Sequence, residues 1–425
     1  MKSGIRVGNY LFTTSKMIWL ILIITSFGGL LISTFHVPNF IYYCADLLNI
    51  LLLFFACRKL KVGRGITSAR PLIIIFWLFV LNTVIGIIGN GVPAILAVWG
   101  VRNVFRYIVF FISCVVLLEV DDILKFDSIL QKIYILNAAL ALIQYFVLGL
   151  KGDYIGGIFG TIQGCNGALT IFLNIALAYF VSKYLYGMLK IRYLAIYTVL
   201  YFLVAALSET KGNYIFFVMI IAVSIIVTNK SFKTLIITIT AVFALVLGAY
   251  FLNRYFPGSL DFLLDWQEAN AYMDASYFGT TTFTRNAALS TANELFFKDN
   301  LWLYLFGYGM GACDMSSYFV SPFYQNYGYM NYRQIGASMT VLQTGYLGLI
   351  LYFAFFVIIF IISFLQGSKL KDKHGKMIMS ATCSIAVFAI VDSFYASLYI
   401  DAGYWLFFAL SIPFIVFKAL KDRSD

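Results

Sequence analysis

The stretch ASMTVLQTGYLGLILYFAFFVIIFIISF, residues 337–364, contains no charged side chain and is dominated by apolar residues. A helix needs about 20 predominantly apolar residues to cross a bilayer, so this stretch predicts a membrane-spanning helix. Eleven further stretches of the same kind predict an all-α, polytopic membrane protein with about twelve spans: 17–35, 39–57, 71–89, 92–119, 133–149, 168–187, 192–208, 213–229, 234–252, 376–396 and 400–418.

The composition of the whole chain agrees with a membrane protein. Hydrophobic residues make up 62% of the 425 positions and charged residues 12%, against roughly 25% charged residues in soluble domains. The net charge of +11 does not indicate nucleic-acid binding, because the basic residues lie in short segments between apolar runs. The six cysteines form no CxxC pair and there are only two histidines, so we expect no disulfide framework, no metal site and no cofactor.

The distribution of lysine and arginine predicts the orientation in the membrane. With the N-terminus in the cytoplasm, 22 of the 30 basic residues fall on the inner side and six on the outer side. Cytoplasmic loops carry the excess of basic residues, so we expect a multi-pass protein of a cytoplasmic membrane with both termini inside. The chain then divides into about nine spans at 1–252, a large outer loop at 253–336, and about three spans at 337–425.

The segment 253–336, which we call the loop segment, is the predicted location of the chemistry. Its 84 residues make it much longer than the other predicted loops, and loops of this length are usually functional. Arg285 and three later apolar residues follow helical spacing, which predicts a short helix capped by a preceding threonine. The three residues are Leu289, Ala292 and Phe296. We expect the Arg285 side chain to lie near water.

Two arginines lie within one predicted span. Arg102 and Arg106 are four residues apart and therefore share a helix face, and charges within spans usually face a cavity or a partner. One interpretation is that both bind an anionic head group such as a lipid pyrophosphate, to which arginine donates paired hydrogen bonds. The alternative is that the start of this span lies at the interface and both side chains extend to water.

Other candidate residues also have two interpretations. Lys211, in the turn at 209–212, could contact a phosphate or simply belong to a tight turn. Tyr308, in the glycine-rich string at 305–311, could stack on a sugar ring or belong to an interfacial aromatic belt. Arg285 could stabilise a phosphate leaving group or be a solvated loop residue.

Two acids, Asp46 and Asp392, also lie within predicted spans. Such acids relay protons in some transporters. The commoner case is that each is neutral or paired within the helix bundle.

Four segments form a pattern along the chain: FGT at 159–161 with NGA at 166–168, TKG at 210–212, Arg285 followed by LFGYG at 305–309, and GYLGL at 345–349. In their order and spacing, these segments resemble the bacterial O-antigen polymerase and ligase superfamily. The second is similar to a Ser-Arg-Gly signature of that family, with lysine in place of arginine. The fourth lies at the start of the next predicted span. The resemblance covers roughly residues 155–365.

The resemblance implies a glycosyltransferase on the outer face of the bacterial cytoplasmic membrane. Its substrates would be oligosaccharide repeat units of a lipopolysaccharide or capsule, carried on undecaprenyl pyrophosphate. Arg285 would act in catalysis, with Glu209, Glu294 or Asp314 as the general base, and no metal is implied. The substrate-binding residues would be Arg102, Arg106, Lys211, Arg333 and Tyr308.

The sequence departs from the family pattern at one place, and this departure distinguishes polymerases from ligases. Ligases of the family carry a histidine near the end of the large loop, and residues 331–336 contain none. This favours a polymerase, with a ligase-type transferase as the alternative. A flippase or transporter of lipid-linked oligosaccharide is the second alternative, although no internal repeat typical of transporters is evident. A chain-length regulator and a flippase are the expected protein partners of a polymerase.

Overall fold

A computed structural model of the chain is almost entirely helical. Besides scattered helical positions between 236 and 254, it describes residues 4–7, 10–61, 69–228, 266–274, 283–316, 318–397 and 403–421. Within these residues, eight helices are long and apolar enough to cross a membrane. The predicted class, an α-helical polytopic membrane protein, is confirmed at this level.

The helices of the two membrane regions flank the shorter helices of the loop segment. A two-stranded antiparallel hairpin, β1 (Gly4–Val7) with β2 (Tyr10–Thr13), precedes the first helix and was not predicted. The helices before the loop segment are α1 (Thr14–Phe35), α2 (Ile41–Lys61), α3 (Arg70–Gly89), α4 (Ala94–Leu117), α5 (Val120–Leu124), α6 (Phe126–Phe146), α7 (Cys165–Leu185), α8 (Ile191–Leu207) and α9 (Gly212–Val227). The later helices are α10 (Trp266–Asp274), α11 (Ala288–Thr291), α12 (Leu301–Phe306), α13 (Pro322–Tyr327), α14 (Gly336–Lys369), α15 (Lys373–Tyr395) and α16 (Gly403–Lys421).

Most of the predicted spans coincide with helices. Eight coincide with helices that satisfy the length and composition expected of a span, and three coincide with the shorter apolar helices α8, α9 and α16. The remaining predicted span, 234–252, lies for the most part outside the described residues. The count of twelve spans therefore stays a prediction.

The interior of the bundle includes α4, α7, α15 and α16, which bury most of their residues. α4 packs against α2 and α16, while α15 packs against α7, α9 and α14. α2 and α3 are more peripheral and expose large apolar side chains, including Leu47, Phe54, Trp77 and Ile88. Exposed apolar side chains in such numbers fit a surface that is solvated by lipid.

The described part of the loop segment has an apolar cluster of its own. After α11, the π-helical turn Ala292–Phe297 places Phe296 in this cluster, as the helical spacing predicts. The helix begins at Ala288 and not at Arg285. The reason is that the Thr284 hydroxyl accepts the backbone N–H of Ala287, which closes a turn ahead of the helix.

Two glycines determine how closely the loop segment approaches the helices. At Gly345 the backbone of α14 has a φ of 67°, and a Cβ there would lie 2.3 Å from the carbonyl carbon of Leu305. At Gly100 of α4, a Cβ would lie 2.4 Å from the backbone nitrogen of Gly311. Only glycine permits both approaches, so the string at 305–311 docks directly against α4 and α14.

Candidate functional site

A partly open cavity of about 210 Å³ lies where the loop segment meets α4 and α14. Its charged lining comes from Arg102 and Arg106 of α4 and from Asp314 and Arg333 of the loop segment. Three of the predicted substrate-binding residues, the neighbouring Arg102 and Arg106 and the distant Arg333, therefore line one cavity.

Arg102 is held by an acid of the neighbouring helix α2. Its Nε donates to Oδ2 of Asp46 at 2.9 Å, and its Nη2 donates to the same oxygen. The guanidinium also lies over the rings of Trp99 and Tyr43, at 4.5 and 5.0 Å from their centroids. The Arg102 side chain is 23% exposed, so it borders the cavity while its position is fixed by these three contacts.

Arg106 lies one turn further along α4 and shares the same acid. Its Nη2 donates to the Tyr107 hydroxyl at 2.6 Å, and its Nη1 lies 3.9 Å from Oδ1 of Asp46. That oxygen also accepts a hydrogen bond from the Tyr404 hydroxyl of α16 at 3.1 Å. One carboxylate thus serves two guanidiniums, which leaves positive charge on the Arg102–Arg106 pair.

Asp314 and Arg333 form a second ion pair in the lining of the cavity, with 2.9 Å between Arg333 Nη2 and Asp314 Oδ1. The Asp314 side chain is only 3% exposed. It also accepts hydrogen bonds from Asn103 Nδ2 at 2.7 Å and from the Met315 backbone N–H at 2.8 Å. Three N–H groups already occupy this carboxylate, so its role in the structure is to anchor Arg333.

The cavity carries an excess of positive charge. Its three guanidiniums face two carboxylates, those of Asp46 and Asp314, which leaves one net positive charge. Gln343 and Ser397 add neutral polar groups, and the buried Ser397 hydroxyl makes no hydrogen bond within the described part of the chain. Methionine, phenylalanine, tryptophan and valine side chains add apolar surface to the lining. Such a site suits an anionic group joined to an apolar body.

Arg285 does not line this cavity. Its guanidinium carbon is 4.5 Å from the ring centroid of Tyr395, which is two residues before the cavity residue Ser397. Arg285 is only 7% exposed, so the expectation that it lies near water is wrong. The cause is tertiary packing. The Tyr395 side chain reaches Arg285 from the end of α15, and the backbone N–H of Arg285 donates to the Met273 carbonyl at 3.1 Å.

The turn at 209–212 also contacts Tyr395. The Gly212 backbone N–H donates to the Tyr395 hydroxyl at 3.2 Å, so one aromatic side chain connects Arg285 to the turn that contains Lys211. Glu209 in the same turn is exposed, has a φ of 52°, and directs its carboxylate toward Gly152. Neither Glu209 nor Lys211 lines the cavity.

Neither Tyr308 nor Glu294 lines the cavity, and Tyr308 belongs to the loop segment's own packing. The Tyr308 hydroxyl donates to the Phe296 carbonyl at 2.8 Å, and its ring lies 5.0 Å from that of Phe323. Burial, with a smaller effect from Cys313, raises the pKa of Tyr308 to about 12. This phenol therefore stays protonated near neutral pH, which disfavours it as a general base. Glu294 is exposed on the π-helical turn.

The residues that sequence reasoning missed are those that hold the arginines in place. Asp46 is paired, but the sequence does not indicate that Arg102 and Arg106 are its partners. Asn103, which hydrogen-bonds to both ion pairs, is not singled out by any motif. The sequence does offer one signal for Asn103. An amide within a predicted span is costly to bury without hydrogen-bond partners, so an asparagine beside Arg102 indicates a polar contact.

Among the described residues, no three His, Cys, Asp or Glu side chains are grouped so that they could hold a metal ion. No protein-family model matches the chain, and no curated protein matches it significantly. The cavity and the motif resemblance are therefore the basis on which a function is proposed.

Proposed function

We propose that the protein is a polysaccharide polymerase, a glycosyltransferase that joins oligosaccharide repeat units carried on undecaprenyl pyrophosphate. The observation that carries this proposal is that Arg102, Arg106 and Arg333 line one cavity between membrane-type helices and the loop segment. Planar guanidiniums match the oxygens of a pyrophosphate with paired hydrogen bonds. The neighbouring apolar surface fits the lipid to which that pyrophosphate is attached. The four motif-like segments add independent support.

In the proposed reaction, a hydroxyl of the acceptor unit attacks the anomeric carbon of the donor chain. A glycosidic C–O bond forms, the bond from that carbon to the pyrophosphate oxygen breaks, and the electron pair leaves with undecaprenyl pyrophosphate. Negative charge therefore grows on the leaving group in the transition state. Cations that are already held in place, as Arg102 is by Asp46 and Arg333 by Asp314, stabilise that charge without reorganisation.

The acceptor hydroxyl must also lose its proton. Asp314 is occupied by three donors and the pKa of Tyr308 is raised to about 12. Glu209 and Glu294 therefore remain the proposed candidates for the general base. Both are exposed and lie outside the cavity lining, so we expect stabilisation of the leaving group to provide most of the rate enhancement.

Arg285 and the turn that contains Lys211 both contact Tyr395, Arg285 through its guanidinium and the turn through the Gly212 backbone N–H. The donor and the acceptor both carry a lipid pyrophosphate, so a polymerase needs cations for two such groups. We propose that the cavity holds the pyrophosphate that leaves and that Arg285 and Lys211 face the second one.

We place the loop segment on the outer face of the bacterial cytoplasmic membrane and both termini in the cytoplasm. The support is the excess of basic residues in the segments predicted to be cytoplasmic. A flippase that delivers repeat units and a chain-length regulator are the proposed partners.

A cellular experiment with Arg106→Gln tests this function. Cells that carry the variant should display single repeat units in place of long chains, at a normal protein level. Arg192→Gln is the matched control, because Arg192 is exposed at the start of α8 and does not line the cavity. Repeat units trapped on the inner face would indicate a flippase instead. Long chains that stay on the lipid would indicate a ligase.

A further inference from the structure

A continuous chain of hydrogen bonds connects the two ion pairs of the cavity. It begins at Asp46, which accepts from Arg102. Arg102 Nη1 donates to Oδ1 of Asn103 at 3.0 Å, and Asn103 Nδ2 donates to Oδ2 of Asp314 at 2.7 Å. The chain ends at Arg333, which donates to Oδ1 of Asp314. We call these five residues the polar chain.

Asn103 is the member of the polar chain that joins α4 to the loop segment. Its amide faces a donor, Arg102, on one side and an acceptor, Asp314, on the other. An amide presents one acceptor and one donor group, so a single orientation satisfies both neighbours. A carboxylate at this position would still accept from Arg102 but would repel Asp314.

The polar chain matters for chemistry because two of its members, Arg102 and Arg333, are cations that line one cavity. Arg102 lies on a membrane-type helix, and Arg333 lies on the loop segment just before α14. Asn103 and Asp314 connect the two guanidiniums through hydrogen bonds. A pyrophosphate that contacts both guanidiniums therefore requires the polar chain to be intact.

We propose that Asn103 is a positioning residue that couples Arg333 to Arg102, so that both guanidiniums contact one lipid pyrophosphate with fixed geometry. This inference rests on the proposed function for its ligand. The coupling itself is a property of the fold and can be measured without a reaction.

An exchange of the two side chains provides the test. Asn103→Asp places two carboxylates face to face and breaks the polar chain. The double variant N103D/D314N restores every hydrogen bond, because the new carboxylate accepts from Arg102 and from the new amide. That amide oxygen then accepts from Arg333 and from the Met315 N–H. The net charge of the cavity equals that of the original protein.

A matched control for the single change is Asn286→Asp. The Asn286 Nδ2 donates to Oδ1 of Asp274 at 3.0 Å in an exposed position. This variant also brings two carboxylates together, but on the surface and outside the cavity lining. An effect of added charge alone would appear in both single variants.

The first measurement is hydrogen–deuterium exchange of the purified protein over residues 311–316. The Met315 amide is bonded to Asp314, so Asn103→Asp should increase exchange in this segment and N103D/D314N should restore protection. Unchanged exchange in Asn103→Asp would overturn the coupling. Equally fast exchange in the single and double variants would also overturn it.

The second measurement is transfer between undecaprenyl-pyrophosphate-linked repeat units by the same proteins. We expect kcat/KM to fall on the order of 10-fold or more in Asn103→Asp and to return in the double variant. Restored protection without restored kcat/KM would overturn the positioning role. If none of the proteins shows transfer activity, including the original one, the result contradicts the proposed polymerase. The exchange data alone would then decide whether Asn103 couples the two arginines.

Discussion

Replacement of Arg333 by glutamine separates the chemical role of a cavity arginine from its structural role. The change removes one cation from the cavity but leaves the Asp314 carboxylate with two donors, Asn103 and the Met315 N–H. Glutamine also retains an amide that can donate toward Asp314. The loss should therefore be larger for transfer than for folding.

The magnitudes follow from the exposure and the partners of Arg333. A hydrogen bond to a charged group contributes about 1.5–3 kcal/mol to stability, and we expect the lower end because the side chain is 25% exposed and the carboxylate keeps two other donors. Loss of one preorganised donor to a developing negative charge usually costs about 2.7–4 kcal/mol, or 10²–10³-fold in rate. We expect Arg333→Gln to lose about 10²-fold in kcat, or about 2.7 kcal/mol, with a smaller change of about 1.5 kcal/mol in the unfolding free energy.

The assay compares initial transfer rates and thermal unfolding of purified Arg333→Gln with those of Arg192→Gln, in the same detergent. The exposed control should match the original protein in both measurements. Arg333→Gln with an unchanged rate would refute the assignment of Arg333 to the pyrophosphate. A rate loss fully accounted for by unfolded protein would refute it as well.

Three further predictions follow from the structure and the sequence. Arg285→Ala should lower the unfolding free energy in detergent by about 1–3 kcal/mol, since the side chain is buried against Tyr395. An unchanged unfolding free energy would contradict that burial. Transfer between repeat units should continue in excess chelator, since guanidiniums take the place of metal ions at the pyrophosphate. Activity that is lost in chelator and restored by magnesium or manganese would contradict this role of the guanidiniums. In intact cells, a membrane-impermeant maleimide should label the Tyr318→Cys variant and spare the Lys371→Cys variant. Residue 318 is suitable for labelling because Tyr318 is 80% exposed. Labelling of Lys371→Cys and not of Tyr318→Cys would contradict the proposed orientation in the membrane.

The membrane class could be predicted from the sequence because the signal is local. A run of apolar residues such as 337–364 must be solvated by lipid or buried, and a helix satisfies its own backbone. The shared face of Arg102 and Arg106 was predicted by the same kind of local rule, the four-residue helical spacing. The structure places both residues in the lining of one cavity.

The partners of these arginines could not be predicted, because they come from distant segments. Asp46 reaches Arg102 from α2, and Asp314 reaches Arg333 from another part of the loop segment. The burial of Arg285 is of the same kind, since a residue of α15 covers it. The polar residues around Arg285 in the sequence suggest exposure to water, but contacts with distant residues bury its side chain.

The most direct measurement of the central claim uses the purified protein in liposomes with undecaprenyl-pyrophosphate-linked repeat units and no other protein. The proposed function predicts a ladder of lengthened chains, with one undecaprenyl pyrophosphate released for each new glycosidic bond. Repeat units that stay single, or that cross the bilayer without being joined, would contradict it.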